Sequence, residues 1–381
     1  MAEDVARGGP RRRVCFLSQN RPGPRMGMGH YERLLVQYLL KQDTSSRWEF
    51  EIVFAGRASG QALSADGALY GLTRAGFLGF SPGRLNSLPW PLPRLLVAIG
   101  APRSGPDLYH SLALDFPAPA LQKVVYTIHD LPPARFADEG VLPKWASRAA
   151  QGARAIITPS SFAKQEIVEL LGVAEDRVHV IPNGCDHSVF NTRVNAADLT
   201  LLGRFNIVPP FVVYVGGGTR RKNVRALLAA WPDVLRCHPG LSLAIVGPRE
   251  QIEGDLASTD NPGVVLVGHL EPPQVAAVVR ASELLVCPSI YEGFGLPPLE
   301  AMALGVPVVA VRAGAIPEVV GEAAFLVGDG SPDAISAGLH SVLSDSRLSA
   351  MLRDAGPARA AAFSWETHAR QVLKVYEAIL Q

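Results

Sequence analysis

No stretch of the sequence approaches the ~20 consecutive apolar residues of a membrane-crossing helix, so none is a candidate span. Paired cysteines are missing as well. Cys15, Cys185, Cys237 and Cys287 are scattered and make no C-x-x-C pair. That spacing argues against a zinc site or a disulfide framework and for buried thiols in a reducing, cytosolic setting. Nor does charge of one sign prevail: 36 Lys and Arg stand against 35 Asp and Glu, a net charge of +1. Such a balance gives no global attraction to nucleic acid, and any basic patch must be local. Residues 1–12 lack the apolar stretch of a secretion signal and read as a frayed tail, with Arg11, Arg12 and Arg13 either solvated or touching a phosphate surface. No G-K-[ST] follows a glycine turn, which excludes a Walker A loop. No strand leads into G-x-G-x-x-G with an acid about twenty positions on, which argues against a dinucleotide-dependent dehydrogenase.

What is present fits two α/β domains. The chain has 381 residues, 48% hydrophobic and 19% charged, enough for two cores without metal or disulfide staples. In the first half, apolar runs at 14–18, 51–55, 107–110, 124–129, 155–158 and 178–181 read as strands. Helical spacing appears at 30–40, 144–151 and 161–171. The second half repeats the alternation, with strands at 211–215, 243–246, 264–267, 284–287, 306–311 and 324–327. Its helices are expected at 223–235, 274–282, 298–304 and 333–343. Strands separated by helices predict mostly parallel, doubly wound sheets. The boundary is expected in the polar stretch 187–206, giving domains over 1–190 and 200–360, with a last helix at 366–380 that need not belong to the second sheet. Residues 56–106, rich in Gly, Pro, Ser and Arg, form an elaborated connection without a legible trace. In open α/β sheets ligands bind beyond the carboxyl ends of the strands, so the expected site is a cleft between two such domains facing each other.

Three segments carry chemistry. The first is Ser289-Ile290-Tyr291-Glu292-Gly293-Phe294-Gly295-Leu296-Pro297-Pro298-Leu299-Glu300. Gly293 and Gly295 permit backbone shapes that bring N–H groups close to a ligand. A proline at 297 or 298 suits a helix start, which puts Glu300 in the first turn and Glu292 on the loop before it. Free amides at that helix end favour phosphate, whereas carboxylates repel it, so the two glutamates are expected to accept from hydroxyls. A sugar phosphate satisfies both demands. The second segment is Val215-Gly216-Gly217-Gly218-Thr219-Arg220-Arg221-Lys222-Asn223, a glycine turn followed by cations at a helix start. The helix dipole opposes cations there unless a diphosphate lies between. The third is the loop before the first helix, with Gly27, Gly29 and His30, which reads either as a place of approach for an acceptor or as a plain flexible loop. His129-Asp130 ends the 124–128 strand at the rim where sites form, and reads either as functional or as structural.

These residues resemble glycosyltransferase family 4. Glu292 and Glu300 around Gly293-Phe294-Gly295 resemble its paired-glutamate motif, and Val213 to Gly217 with Arg221-Lys222-Asn223 resemble its donor-phosphate loop. Ile181-Pro182-Asn183-Gly184-Cys185-Asp186 with Phe190 resembles the signature at the end of its first domain. Ser289, the run from Glu300-Ala301-Met302 through Gly305-Val306-Pro307-Val308-Val309, and Pro317-Glu318-Val319 with Gly321 fit too. The match runs from about Val124 to the end and is specific in the second half. One departure stands out. Many members carry an arginine directly after the phosphate-loop glycine, where this chain has Gly217 or Gly218.

The resemblance implies a GT-B fold, two Rossmann-like domains around an interdomain cleft, with the final helix over 361–381 packing back on the first. It implies retaining transfer of a hexose, mannose from GDP-mannose as the best match, from a nucleoside diphosphate sugar without a metal or other cofactor. Arg221 and Lys222 then meet the diphosphate, with Gly216, Gly217, Gly293, Phe294, Gly295 and Leu296 lining the donor site. Glu300 takes the ribose, Glu292 and His129 the transferred sugar, and Gly27, Gly29 and His30 face the acceptor. The acceptor is a glycan or lipid-linked sugar in polysaccharide or glycolipid assembly. A lipid-linked one would bring a cytoplasmic protein to the inner face of a membrane, with residues 85–103 either touching it or forming a buried connection. A nucleotide-sugar epimerase and a non-catalytic sugar-nucleotide-binding subunit are the rival readings. An epimerase would act with no acceptor present. The intact set Arg221, Lys222, Glu292 and Glu300 argues against a decayed site.

Overall fold

A computed structural model describes residues 11–18, 28–43, 47–54, 71–72, 75–77, 88, 92–93, 95, 97, 105–114, 116–119, 123–193, 197–257 and 262–381. Gly27, the first ten residues and most of 56–106 lie outside the described residues. The chain divides into two compact units. The first comprises 1–134, 141–182 and Trp365–Gln381. The second comprises Arg135–Gly140 and Asn183–Ser364, so it opens ahead of the polar 187–206 stretch and takes in a short piece of chain from the first half.

In the first unit, seven strands form one parallel sheet: β1 Arg12–Ser18, β2 Trp48–Phe54, β3 Ala75–Phe77, β4 Leu108–Ser111, β5 Val124–Thr127, β6 Ala155–Thr158 and β7 Val178–Val180. Their order is β3-β2-β1-β4-β5-β6-β7. Along β1 the side chains alternate between two cores. Cys15 and Leu17 join one cluster with Tyr126, Trp145 and Ile167, while Val14 and Phe16 join another with Leu35, Trp365 and Tyr376. That period of two, apolar on both faces, is why β4, β5 and β6 read as continuous apolar runs. Helices α1 Met28–Gln42, α2 Ala146–Gly152 and α3 Ser161–Leu171 accompany this sheet. The C-terminal helix Trp365–Leu380 packs against α1, burying Trp365, Ala369, Val372 and Tyr376 along one helical stripe.

The second unit holds a six-stranded parallel sheet: β8 Phe211–Val215, β9 Ser242–Val246, β10 Val264–Gly268, β11 Leu284–Cys287, β12 Val308–Val311 and β13 Phe325–Val327, in the order β10-β9-β8-β11-β12-β13. Helices α4 Ala197–Arg204, α5 Val224–Cys237, α6 Glu253–Ala257, α7 Pro272–Arg280, α8 Leu296–Ala303, α9 Ile316–Val320, α10 Pro332–Ser344 and α11 Ser346–Ala360 complete it. Both sheets reverse strand order next to their first strand, which makes β1/β4 and β8/β11 the switch points where ligand crevices form. Among the described residues no helix is long and apolar enough to cross a membrane.

Several elements escape the periodicity of the sequence. β3 lies in the untraceable connection, and α4 occupies the stretch expected to be a polar boundary. Helix α11 runs through Gly356 and Pro357, residues that ordinarily break helices. Gly356 is needed there, because a Cβ would meet the Met302 carbonyl oxygen of α8 at 3.0 Å. Tertiary packing outweighs propensity at this point.

The first unit contains a buried polar network tying the C-terminal helix to the sheet. His110 of β4 bonds Tyr376 Oη through Nδ1 and Thr127 Oγ1 through Nε2. His368 bonds Tyr31 Oη at 3.2 Å and the Pro182 carbonyl at 2.8 Å. Burial, and then the neighbouring His368 and His129, lowers His110 to about 3. Burial, then His368, lowers His129 to about 4, and burial lowers His368 to about 4 against a backbone bond from Pro182 that works the other way. All three are neutral in the folded chain at neutral pH, whereas an unfolded chain protonates them below about 6.5. Their contribution is therefore intact above pH 6.5 and is lost as pH falls through the window down to about 4 and then 3. The melting temperature is expected to drop between pH 7 and pH 5 in a calorimetric scan. Tyr376→Phe should cost about 1–3 kcal/mol at pH 7 by stranding His110 Nδ1.

Candidate donor site at the second switch point

The carboxyl ends of β8 and β11 carry the two segments singled out above, residues 216–223 and 288–295. They are knitted together by the backbone and by one asparagine. Ile290 donates its N–H to the Arg221 carbonyl at 2.9 Å. Asn223, in the left-handed region at φ 56°, donates from Nδ2 to Pro288 O at 3.1 Å and Gly330 O at 2.8 Å. A tight αL corner favours asparagine and leaves its amide free to bridge loops. The short turn before it, Arg220–Lys222, brings Arg221 and Lys222 to Glu292 of the β11 loop.

At the centre lies Glu292, 6% exposed. Lys222 Nζ is 2.6 Å from its Oε1, and Arg221 Nη1 is 3.4 Å from its Oε2. Burial alone would raise this carboxyl. Lys222, Arg221 and hydrogen bonds from Lys222 and Ser289 outweigh burial and hold it below the ordinary carboxylate value. Gly314 makes room for the loop, since a Cβ there would collide with the backbone of Glu292. Ala315 N–H caps the Glu292 carbonyl at 2.9 Å.

The structure brings Arg221, Lys222 and Glu292 into one cluster. It places Glu300 elsewhere in the unit. Helix α8 begins at Leu296 after Gly295, which stands at φ 102° as its N-cap. Glu300 therefore sits in the second turn, a correction to its expected place in the first. The helix end also presents fewer amides than its dipole suggests. Pro297 and Pro298 carry no N–H, so in this turn only Leu296 retains a free donor before Leu299, which bonds Gly295 O at 3.4 Å. Any phosphate at this end relies on the amides of Gly293 to Leu296. Glu300 faces Asp186 and Cys185 of the 181–186 signature. Burial, then the Asp186 charge, pushes its carboxyl up to about 8. Asp186 itself accepts from Ser188 N and Oγ at 3.1 and 2.6 Å.

The glycine turn has a structural reason beside any ligand. A Cβ at Gly216 would strike the Tyr214 hydroxyl, and one at Gly217 or Gly218 would strike Gln251. Gly218 N–H is held by Gln251 Oε1 at 3.1 Å, and Tyr214 Oη donates to Gly217 O at 2.6 Å. Two acids not read from the sequence also join the site. Glu139 Oε1 accepts from Arg221 Nε at 2.7 Å, and Asp138 Oδ2 accepts from Arg220 N at 2.8 Å. Neither stands in a motif or near the loop in sequence, so only the folded contact reveals them. Among the described residues, no group of three or more His, Cys, Asp or Glu is arranged to hold a metal.

In the first unit, Gly29 and His30 lie inside the opening turn of α1 rather than on a loop, and Arg33 Nη2 is 3.0 Å from His30 Nδ1. His129 follows β5 and packs edge-on against Tyr31, ring centroids 4.3 Å apart. Its Nε2 is buried without a hydrogen-bond partner among the described residues.

Comparison with known proteins bears on the family and the fold. Residues 209–345 match the family described as Glycosyl transferases group 1, and residues 27–189 match Glycosyltransferase Family 4. The chain is 30% identical over 270 residues to the O-antigen chain mannosyltransferase B of Escherichia coli, covering 68% of this chain and 71% of that protein. It is 34% identical over 240 residues to the MMP alpha-(1->4)-mannosyltransferase of Mycolicibacterium hassiacum, covering 60% of this chain and 55% of that protein. The crystal structure of Anabaena HepE in complex with UDP-glucose superposes with a TM-score of 0.72 at 19% identity, over 96% of this chain and 99% of that one. The fold is that of the GT-B glycosyltransferases. With its two family matches and a relative aligned over most of its length, the chain belongs to the group 1, family 4 glycosyltransferases.

Proposed function

We propose that the chain transfers a mannosyl group from a nucleoside diphosphate sugar to a glycan or lipid-linked acceptor, with retention of anomeric configuration. The observation that carries this reading is the Arg221–Lys222–Glu292 cluster at the β8/β11 switch point. Two mannosyltransferases among the relatives support the sugar, and the UDP-glucose bound to a neighbour of the same fold supports a nucleoside diphosphate donor. GDP-mannose is the donor the proposal names.

The step breaks the bond between the anomeric carbon and the leaving phosphate oxygen, whose electron pair remains on the phosphate. Arg221 and Lys222 meet that developing charge, each preorganised donor contributing about 3–4 kcal/mol in a site of this kind. The acceptor oxygen attacks from the same face, and its proton passes to the leaving phosphate. In this account two side-chain cations carry the charge without a metal. Glu292 orients Lys222 and retains oxygen lone pairs for a sugar hydroxyl. In the first unit, His129 at the end of β5 meets the transferred sugar, and the α1 start with Gly29 and His30 serves the acceptor. Glu300 receives the ribose hydroxyls.

Arg221→Ala combined with Lys222→Ala should lower kcat/KM by at least about 100-fold; unchanged turnover removes the phosphate assignment. Turnover is expected to survive EDTA, and product NMR should show the donor's anomeric configuration. In a thermal-shift screen of GDP-, UDP- and ADP-sugars, GDP-mannose should raise the melting temperature most, because a ligand that binds only the folded chain stabilises it. Hydroxyls donating to Glu300 favour its ionised form. Nucleotide affinity should therefore rise as pH climbs through about 8, and titration of Glu300→Gln should show weaker binding without that rise. A pH-independent wild-type affinity would remove the ribose role.

A further inference from the structure

Arg221 has one more carboxylate than a phosphate-binding arginine needs. Glu292 already supports it from Nη1 and anchors Lys222 beside it. Glu139 adds a second contact at 2.7 Å on Nε, within the planar fork that a phosphate group engages. The charges then cancel: two cations, Arg221 and Lys222, against two anions, Glu139 and Glu292. The side chains of Arg221 and Glu139 are 17% and 14% exposed, so solvent screens the pair only partly. A diphosphate approaching this cluster meets no net positive charge while Glu139 stays in place.

The segment bearing Glu139 meets the second unit through a few named contacts. Residues 135–140 belong to the second unit by contact, through Asp138 on the Arg220 amide, Glu139 on Arg221 and an edge-on stack of Phe136 on Tyr291 with centroids 5.5 Å apart. The short turn Ala137–Glu139 ends at Gly140, at φ 92° with nothing within 4 Å of where a Cβ would sit. Glycine is called for at this corner by its positive φ and not by packing. A little farther along the glycine turn, Gln251 Oε1 holds the Gly218 amide in the same manner.

We propose that Glu139 is an internal competitor of the donor's diphosphate: its carboxylate occupies Arg221 Nε in the donor-free protein and yields that position when a diphosphate binds. It thereby sets donor affinity and returns to Arg221 as the nucleoside diphosphate product leaves. The inference rests on the reading that Arg221 and Lys222 seat the diphosphate.

The test is isothermal titration of the full chain with inorganic pyrophosphate, GDP and guanosine, comparing wild type, Glu139→Gln and Arg221→Ala/Lys222→Ala. Glu139→Gln keeps the shape and removes the charge. It should bind pyrophosphate and GDP about five- to tenfold more tightly, the scale of one partly screened charge. Guanosine, which has no phosphate, should bind both proteins alike. Equal or weaker diphosphate binding by Glu139→Gln, with loss of binding in the double variant, overturns the competitor role while leaving the phosphate seat intact. Retained diphosphate binding in the double variant overturns the seat and the competitor together. Failure of Glu139→Gln to bind either diphosphate overturns the competitor as well.

Discussion

The contact of Lys222 with Glu292, 2.6 Å long and nearly out of water, is the constraint around which the rim of the second sheet is arranged. A buried carboxylate costs several kcal/mol unless it is paired and hydrogen-bonded. Glu292 meets that cost with Lys222 and Arg221 from the turn after β8 and with Ser289 from the loop after β11. Asn223 fixes the cation turn to the ends of β11 and β13, and Gly314 leaves space for the glutamate loop. Removing the pairing would leave either a stranded anion or two cations crowding each other beside a helix start.

That arrangement also reassigns chemistry within the site. Two glutamates around one helix start carry the same expectation from the sequence, acceptance from hydroxyls. The structure gives them separate environments instead. Glu292 is kept ionised by cations, and Glu300 is driven toward its neutral form by burial and Asp186. Environments that push two like groups in opposite directions are how a site gives them different tasks. One carboxylate organises the positive charge, and the other titrates near pH 8 beside the 181–186 signature.

Much of this was legible in the sequence where the local pattern and the fold demand the same thing. Strands buried on both faces show as apolar runs, as at Val212–Val215 and Leu284–Cys287. Sharp loops at a switch point show as glycine and proline punctuation, as at Gly216–Gly218 and Gly293–Pro298. Illegible features depend on contacts between distant residues. Glu139 and Asp138 reach the Arg220–Arg221 turn from more than eighty positions earlier in the chain. Helix α11 persists through Gly356-Pro357 because Met302 of α8 packs there. Glu300 was placed one turn early because the prolines mark the helix start without fixing which residue opens it. The packing of Tyr214 and Gln251 against the flanks of the glycine turn has no local signal either.

The central claim is that the diphosphate of a sugar donor is seated by Arg221 and Lys222. A crystal structure of the chain with GDP bound tests it most directly. The account predicts phosphate oxygens within hydrogen-bond distance of the Arg221 guanidinium and Lys222 Nζ, amides of residues 293–296 facing them, and Glu139 drawn off Arg221 Nε. Phosphates bound away from both cations, with the Glu139–Arg221 and Glu292–Lys222 pairs unchanged, would contradict it.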